Sequence, residues 1–258
     1  MLGKLLKYEI PALGRKLVPL YIGWAATAVL LGVALGMGES ESGFMIVLAG
    51  LLYSAAATAV IVMAVVMIVQ RYHHSLLGDE GYFSHVLPVS ASVHIANKTI
   101  AALVWVLISG VALIVTGLLI AIFSGSISDL LNIDWEVFIG DLANMGAKRW
   151  LLLFEFLILF TLSIGKSILA IYTALTIGHQ ARRRTTLASI GAYFGVLVFE
   201  MLIGRILVEV MPFMADLYTG GFRDVQIFIL CSAAITIAIG AVYFFICKYL
   251  MEKKLNLS

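Results

Sequence analysis

Long stretches of this chain carry no charge. Leu17–Gly38, Ser42–Gln70, Thr99–Ser128 and Val225–Cys247 contain no Asp, Glu, Lys or Arg. Each is long enough to cross the ~30 Å hydrocarbon layer as a helix of about 20 residues. Trp150–Gly178 and Thr185–Val208 are strongly apolar too, apart from a few ionisable residues inside them. Runs that are apolar on every face belong to helices surrounded by lipid. The pattern predicts one all-α membrane domain over 1–258, with spans at about 17–38, 44–69, 99–123, 150–178, 185–208 and 225–247. Gly81–Asn97 also lacks formal charge, but His85, Pro88, Ser90, Ser92 and His94 make it a poor lipid segment.

Composition points the same way. The chain is 62% hydrophobic and 12% charged, where a soluble domain has about 25% charged residues. Mean hydropathy is +1.06. A soluble fold this apolar could not cover its own core, so a soluble enzyme or DNA-binding domain is excluded. The net charge of +2 calls for no polyanionic partner, and no nucleic acid is expected. Cys231 and Cys247 lie on one predicted helix, too far apart for a disulfide, and no CxxC motif is present.

The distribution of basic residues predicts the topology. With the N-terminus inside, the cytoplasmic set is Lys4, Lys7, Arg15, Lys16, Arg71, Lys98, Arg182, Arg183, Arg184, Lys248, Lys253 and Lys254. Only Lys148, Arg149 and Arg223 fall outside. The positive-inside rule therefore places both termini in the cytoplasm of a multi-pass protein of the cell membrane. Met1–Lys16 has no exit for a signal peptidase and is expected to remain. Its leucines alternate with lysines at helical spacing, which predicts an interfacial helix on anionic lipid, bent or broken by Pro11.

The longest cytoplasmic loop, 71–98, reads RYHHSLLGDEGYFSHVLPVSASVHIANK. Gly78 and Gly81 frame Asp79 and Glu80, acids suited to a helix start. Tyr82, Phe83, Val86 and Leu87 follow at helical spacing, and Pro88 ends the turn. A short helix with these anchors either docks into a partner's groove or tucks against the chain's own bundle. On the other side, Ser124–Ala147 is partly amphipathic and expected to lie flat, and Glu209–Asp224, with Pro212 and Gly220–Gly221, reads as a plain loop in preference to a short re-entrant hairpin.

Candidate chemistry is sparse. Phe160–Ser167, FTLSIGKS, imitates a phosphate-binding loop but has Phe where Gly is needed, and sits inside a predicted span. No other stretch resembles a nucleotide-binding motif. His73, His74, His85, His94 and His179 fit no metal-ligand spacing and read as surface or membrane-interface histidines. The intramembrane charges are more informative, because such groups are costly and mark pairing or function. Glu155, Lys166 and Thr173 share one helix face, with the first two about 16 Å apart and so unable to pair. Glu155 and Arg205 lie at depths that let them meet, with Glu200 as a third member. Lys166, near mid-membrane, either finds a carbonyl or carboxylate in the bundle or faces a wet cavity. These groups are a structural network between spans four and five, or the polar lining of a path. Gly32–Gly36 and Gly191–Gly195 fit GxxxG and are expected to serve packing.

Six spans, a basic N-terminal segment opening MLGKLLKYEI before Arg15–Lys16, and the GDEGY…LPVS stretch resemble the permease subunits of ABC-2-type ABC transporters. The nearest likeness is to those of Gram-positive bacteria, including the lantibiotic-immunity branch. The resemblance implies a type V exporter-like transmembrane domain, with Leu76–Ser90 as the coupling helix. It implies a separate ATPase docked at Asp79, Glu80, Tyr82, Phe83, Val86, Leu87 and Pro88. Two ATPase subunits holding ATP and Mg, a second permease subunit that is identical or related, and membrane lipids would complete the assembly. No cofactor is expected in this chain, which would itself be no enzyme. Two other classes stand beside this reading. A self-contained secondary transporter would use Glu155, Lys166 and Glu200, but no internal repeat is evident. An intramembrane enzyme would need catalytic histidines within the spans, where none falls.

Overall fold

The computed structural model describes residues 2–37, 39–77, 90–128, 137, 140, 146–181, 184–210 and 222–253. Among them run six long helices: α1 (Leu2–Gly36), α2 (Glu39–Tyr72), α3 (Ala91–Phe123), α4 (Ala147–Gly178), α5 (Thr185–Val210) and α6 (Phe222–Lys253). A π-helical turn, His73–Leu77, prolongs α2. All six helices are long and apolar enough to cross a membrane, as the sequence pattern predicts, and the described residues contain no strand. Most overrun their charge-free stretches. A helix that ended within hydrocarbon would strand backbone N–H and C=O groups, so ends are displaced towards polar surroundings.

α1 departs from expectation at its prolines. It continues through both Pro11 and Pro19 instead of breaking at Pro11. Its buried residues Glu9, Leu13, Gly14 and Leu17 bracket the first proline. Packing on this face outweighs the roughly 3 kcal/mol that an interior proline costs.

The chain forms two compact units, one of residues 3–68 and 104–145, the other of 1–2, 69–103 and 146–258. The first unit holds most of α1 and α2 and the latter part of α3. Aromatic pairs join them: Trp24 lies 6.0 Å from Tyr53, and Tyr21 lies 6.3 Å from Trp105. Trp105 Nε1 donates to the Ile10 carbonyl at 3.0 Å, and its ring covers Gly14. The Tyr21 and Ser109 hydroxyls are 2.7 Å apart. Because Ser109 already donates to the Trp105 carbonyl, Tyr21 is the donor here.

Of the two GxxxG pairs, one makes a close approach. A methyl on Gly32 would stand 2.8 Å from Phe123 Cβ and 2.9 Å from the Ile120 oxygen, and one on Gly36 3.0 Å from the Phe123 oxygen. Gly191 and Gly195 meet nothing within 4 Å. Gly32→Ala is therefore expected to lower stability by about 1–3 kcal/mol. Gly191→Ala should stay within about 0.5 kcal/mol of wild type. Unfolding in mixed micelles, followed by circular dichroism, reads both.

Candidate functional site

The second unit is organised around α4, which packs against both α5 and α6. At the turn from α4 to α5, Gly178 abuts the backbone and hydroxyl of Ser189, leaving no room for a side chain. That contact fixes the register of the hairpin. At 1.5 Å per residue, Lys166 stands ~18 Å from the Gly178 end of α4, and Glu200 ~22 Å from the Thr185 end of α5. Two opposite charges thus arrive at similar depth on touching helices.

They pair. Lys166 Nζ lies 2.6 Å from Glu200 Oε2, and Tyr243 of α6 donates to Glu200 Oε1 at 3.0 Å. One carboxylate consequently ties three helices together. Both of its oxygens accept, one from a cation and one from a phenol, which is the inventory that an ionised carboxylate needs in poor solvent. The Tyr243 ring is buried with Ala170 and Val196, so its hydroxyl is aimed by packing. The pair itself is incompletely covered: the Lys166 and Glu200 side chains are 18% and 25% exposed. Hydrocarbon is a poor neighbour for that open edge.

The other intramembrane charges do not assemble as expected. Glu155 and Arg205 do not pair. Glu155 Oε1 accepts from Gln226 of α6 at 3.3 Å, and its buried Oε2 has no hydrogen-bond partner among the described residues. Arg205 turns to Glu209 of its own helix at 3.5 Å, both side chains largely exposed. Glu200 joins Lys166 instead. Residue spacing sets height along each helix but not rotation about it, and rotation decides the partners. Near the Glu155 end, Lys148 sits 5.6 Å from the Phe222 ring centre, joining the starts of α4 and α6.

A second polar cluster lies towards the other ends of α4 and α6. Tyr72 stacks on Tyr172 with ring centres 3.9 Å apart and planes 10° from parallel. Tyr72 Oη and Thr176 Oγ1 are 2.9 Å apart, and Thr173 Oγ1 lies 3.3 Å from Cys247 Sγ. Tyr72, Tyr172, Thr173, Thr176 and Cys247 are all buried. This cluster is not legible from the residue pattern, since tyrosine, threonine and cysteine in apolar runs carry no charge that demands a partner.

No family model, curated protein or solved structure matches the chain.

The histidines divide. The His73 and His179 rings meet edge-on with centres 5.7 Å apart. His94, expected at the surface, is buried. It lies in the first turn of α3, where covered neighbours Ile95 and Asn97 share its surroundings. Among the described residues no three His, Cys, Asp or Glu side chains are grouped to hold a metal ion. FTLSIGKS is helical throughout, within α4. The sequence-predicted docking residues Asp79, Glu80, Tyr82, Phe83, Val86, Leu87 and Pro88 lie outside the described residues, as do most of 129–145 and all of 211–221. What the described site can do is hold or exchange charge. Lys166, Glu200 and Tyr243 offer a cation, an anion and a hydroxyl at one depth, with part of the surface open.

Proposed function

We propose that this chain is the membrane permease subunit of an ABC exporter, which moves a hydrophobic or amphipathic solute such as a peptide, antibiotic or lipid-like molecule. The observation that carries the reading is the 71–98 segment. It links the second and third long helices, with aromatic and apolar anchors after an acidic start between Leu77 and Ala91, in a chain whose basic residues crowd the same side. Six helices fit for a membrane support it. In this reading both termini face the cytoplasm of the cell membrane, and ATP with Mg is bound and hydrolysed on two partner subunits. A second permease subunit, the same or related, completes the path. Docking at Tyr82, Phe83, Leu87 and Pro88 delivers the ATPase motion, and the bundle switches between two packings. Arg182–Arg184 meet anionic lipid at the cytoplasmic surface.

Purification with the products of adjacent reading frames tests this. An ATPase is expected to co-purify, and Tyr82→Ala with Phe83→Ala should weaken its affinity about tenfold or more, as loss of aromatic anchors does. Full retention after that double change would remove the docking assignment. Absence of any ATPase would remove the exporter reading.

The Lys166–Glu200 pair favours one second reading, a self-contained secondary transporter that uses the carboxylate for ion coupling. Flux in proteoliposomes driven by an ion gradient, without nucleotide, would select it.

A further inference from the structure

The two polar clusters of the second unit are joined. Tyr72 ends α2 just before the segment 78–89, and Lys98 follows that segment in the first turns of α3. Both converge on Tyr172 of α4: Tyr72 through the ring stack, and Lys98 through its carbonyl, which accepts from Tyr172 Oη at 3.4 Å.

From there the donors are fixed by counting protons. Thr176 donates to the Tyr172 carbonyl at 2.7 Å, so its oxygen can only accept from Tyr72. Thr173 donates to the Leu169 carbonyl at 2.8 Å, so it accepts the Cys247 thiol proton. Thr173 shares that one proton with the Tyr243 carbonyl at 3.3 Å, the Cys247 sulfur also lies 4.0 Å from Thr176 Oγ1, and the Tyr243 side chain reaches Glu200. A buried hydroxyl stripped of its partner costs about 1–3 kcal/mol. Displacing Tyr72 therefore leaves its buried phenol proton with only the weak Met251 sulfur, 3.9 Å away, unless its neighbours follow. Near-parallel rings can slide over one another and keep contact, so the stack moves more easily than the bonds around it.

We propose that this column, from Tyr72 and Tyr172 through Thr176, Thr173 and Cys247 to Tyr243, is a relay that couples the chain flanking 78–89 to the Lys166–Glu200 pair. The relay rests on the transporter reading only in taking 71–98 as its input; its physical coupling is a property of this chain alone. Coupling of this kind is reciprocal, so disturbing the ion pair must be felt at the far end.

Amide hydrogen exchange on the full chain in nanodiscs tests it without any partner. Glu200→Gln and Tyr243→Phe are each expected to speed exchange about tenfold at 73–77 and 95–98, the effect of losing one hydrogen bond to a charged group. Exchange in α1 at 17–36 should stay as in wild type. Arg205→Ala, which removes only an exposed contact, should change neither region. Faster exchange confined to the neighbourhood of residues 166 and 200 would overturn the relay. So would a uniform rise that includes α1, because the pair would then be a staple of the whole fold. An ATPase that fails to co-purify sinks the exporter reading and leaves these outcomes untouched.

Discussion

Lys166→Met is expected to lower the stability of the chain by about 3 kcal/mol, the lower end of the penalty for removing one partner of a buried ion pair, because this pair is incompletely covered. The methionine fills a similar volume, so little of the loss comes from packing. What remains is Glu200, now held by Tyr243 alone and 25% exposed at a depth where lipid offers no hydration. The double variant Lys166→Met, Glu200→Met should recover most of that loss, because two well-packed apolar groups can match a desolvated pair. Removing the exposed Arg205–Glu209 contact by Arg205→Ala should change stability by less than about 1 kcal/mol. Unfolding in mixed micelles gives all three values. If the single Lys166 variant were as stable as wild type, the pair would contribute nothing to the fold.

The second large effect is expected at Gly178. A Gly178→Val change places three carbons against the backbone N and Cα of Ser189 as well as its hydroxyl. The hydroxyl can rotate away, but the backbone cannot without separating α4 from α5. Overpacking of this sort costs about 1–3 kcal/mol in forgiving sites and more where backbone is the obstacle. Gly178→Val is expected at or beyond the upper end, with Gly178→Ala already measurable. Gly204, which has open space around it, is the control: Gly204→Ala should be nearly neutral. Equal behaviour of the two positions would mean that the α4–α5 contact is looser than described.

The contrast between what was readable and what was not follows from the physics of each signal. Six spans were legible because hydrocarbon demands an uninterrupted apolar run, and Leu17–Gly38 or Val225–Cys247 satisfies that demand by composition alone. Continuity of α1 through Pro11 was not, since the local penalty of proline is visible in sequence while the packing of Leu13 and Leu17 that overrides it is not. Lys166 announced itself as a costly charge needing a partner. Its partner was hidden: height on the shared helix rules out Glu155, but whether Glu200 turns to Lys166 or to Arg205 depends on rotation about α5, which only the helix contacts supply. Gln226 and Tyr243 were silent for another reason: uncharged polar residues cost little in a span and raise no alarm. GxxxG matched twice and mattered in one place, as expected of a motif built from a residue as common here as glycine.

The tight turn at Gly178 has a consequence for biogenesis. Lys166 and Glu200 are 34 residues apart on two helices joined by a short connection, so they leave the ribosome within seconds of each other. Each charge alone at the centre of a nascent helix would oppose insertion by about 2.5–3.5 kcal/mol. Insertion of the two helices as a hairpin in register would cancel that opposition, because the two charges would meet the bilayer as a neutral pair.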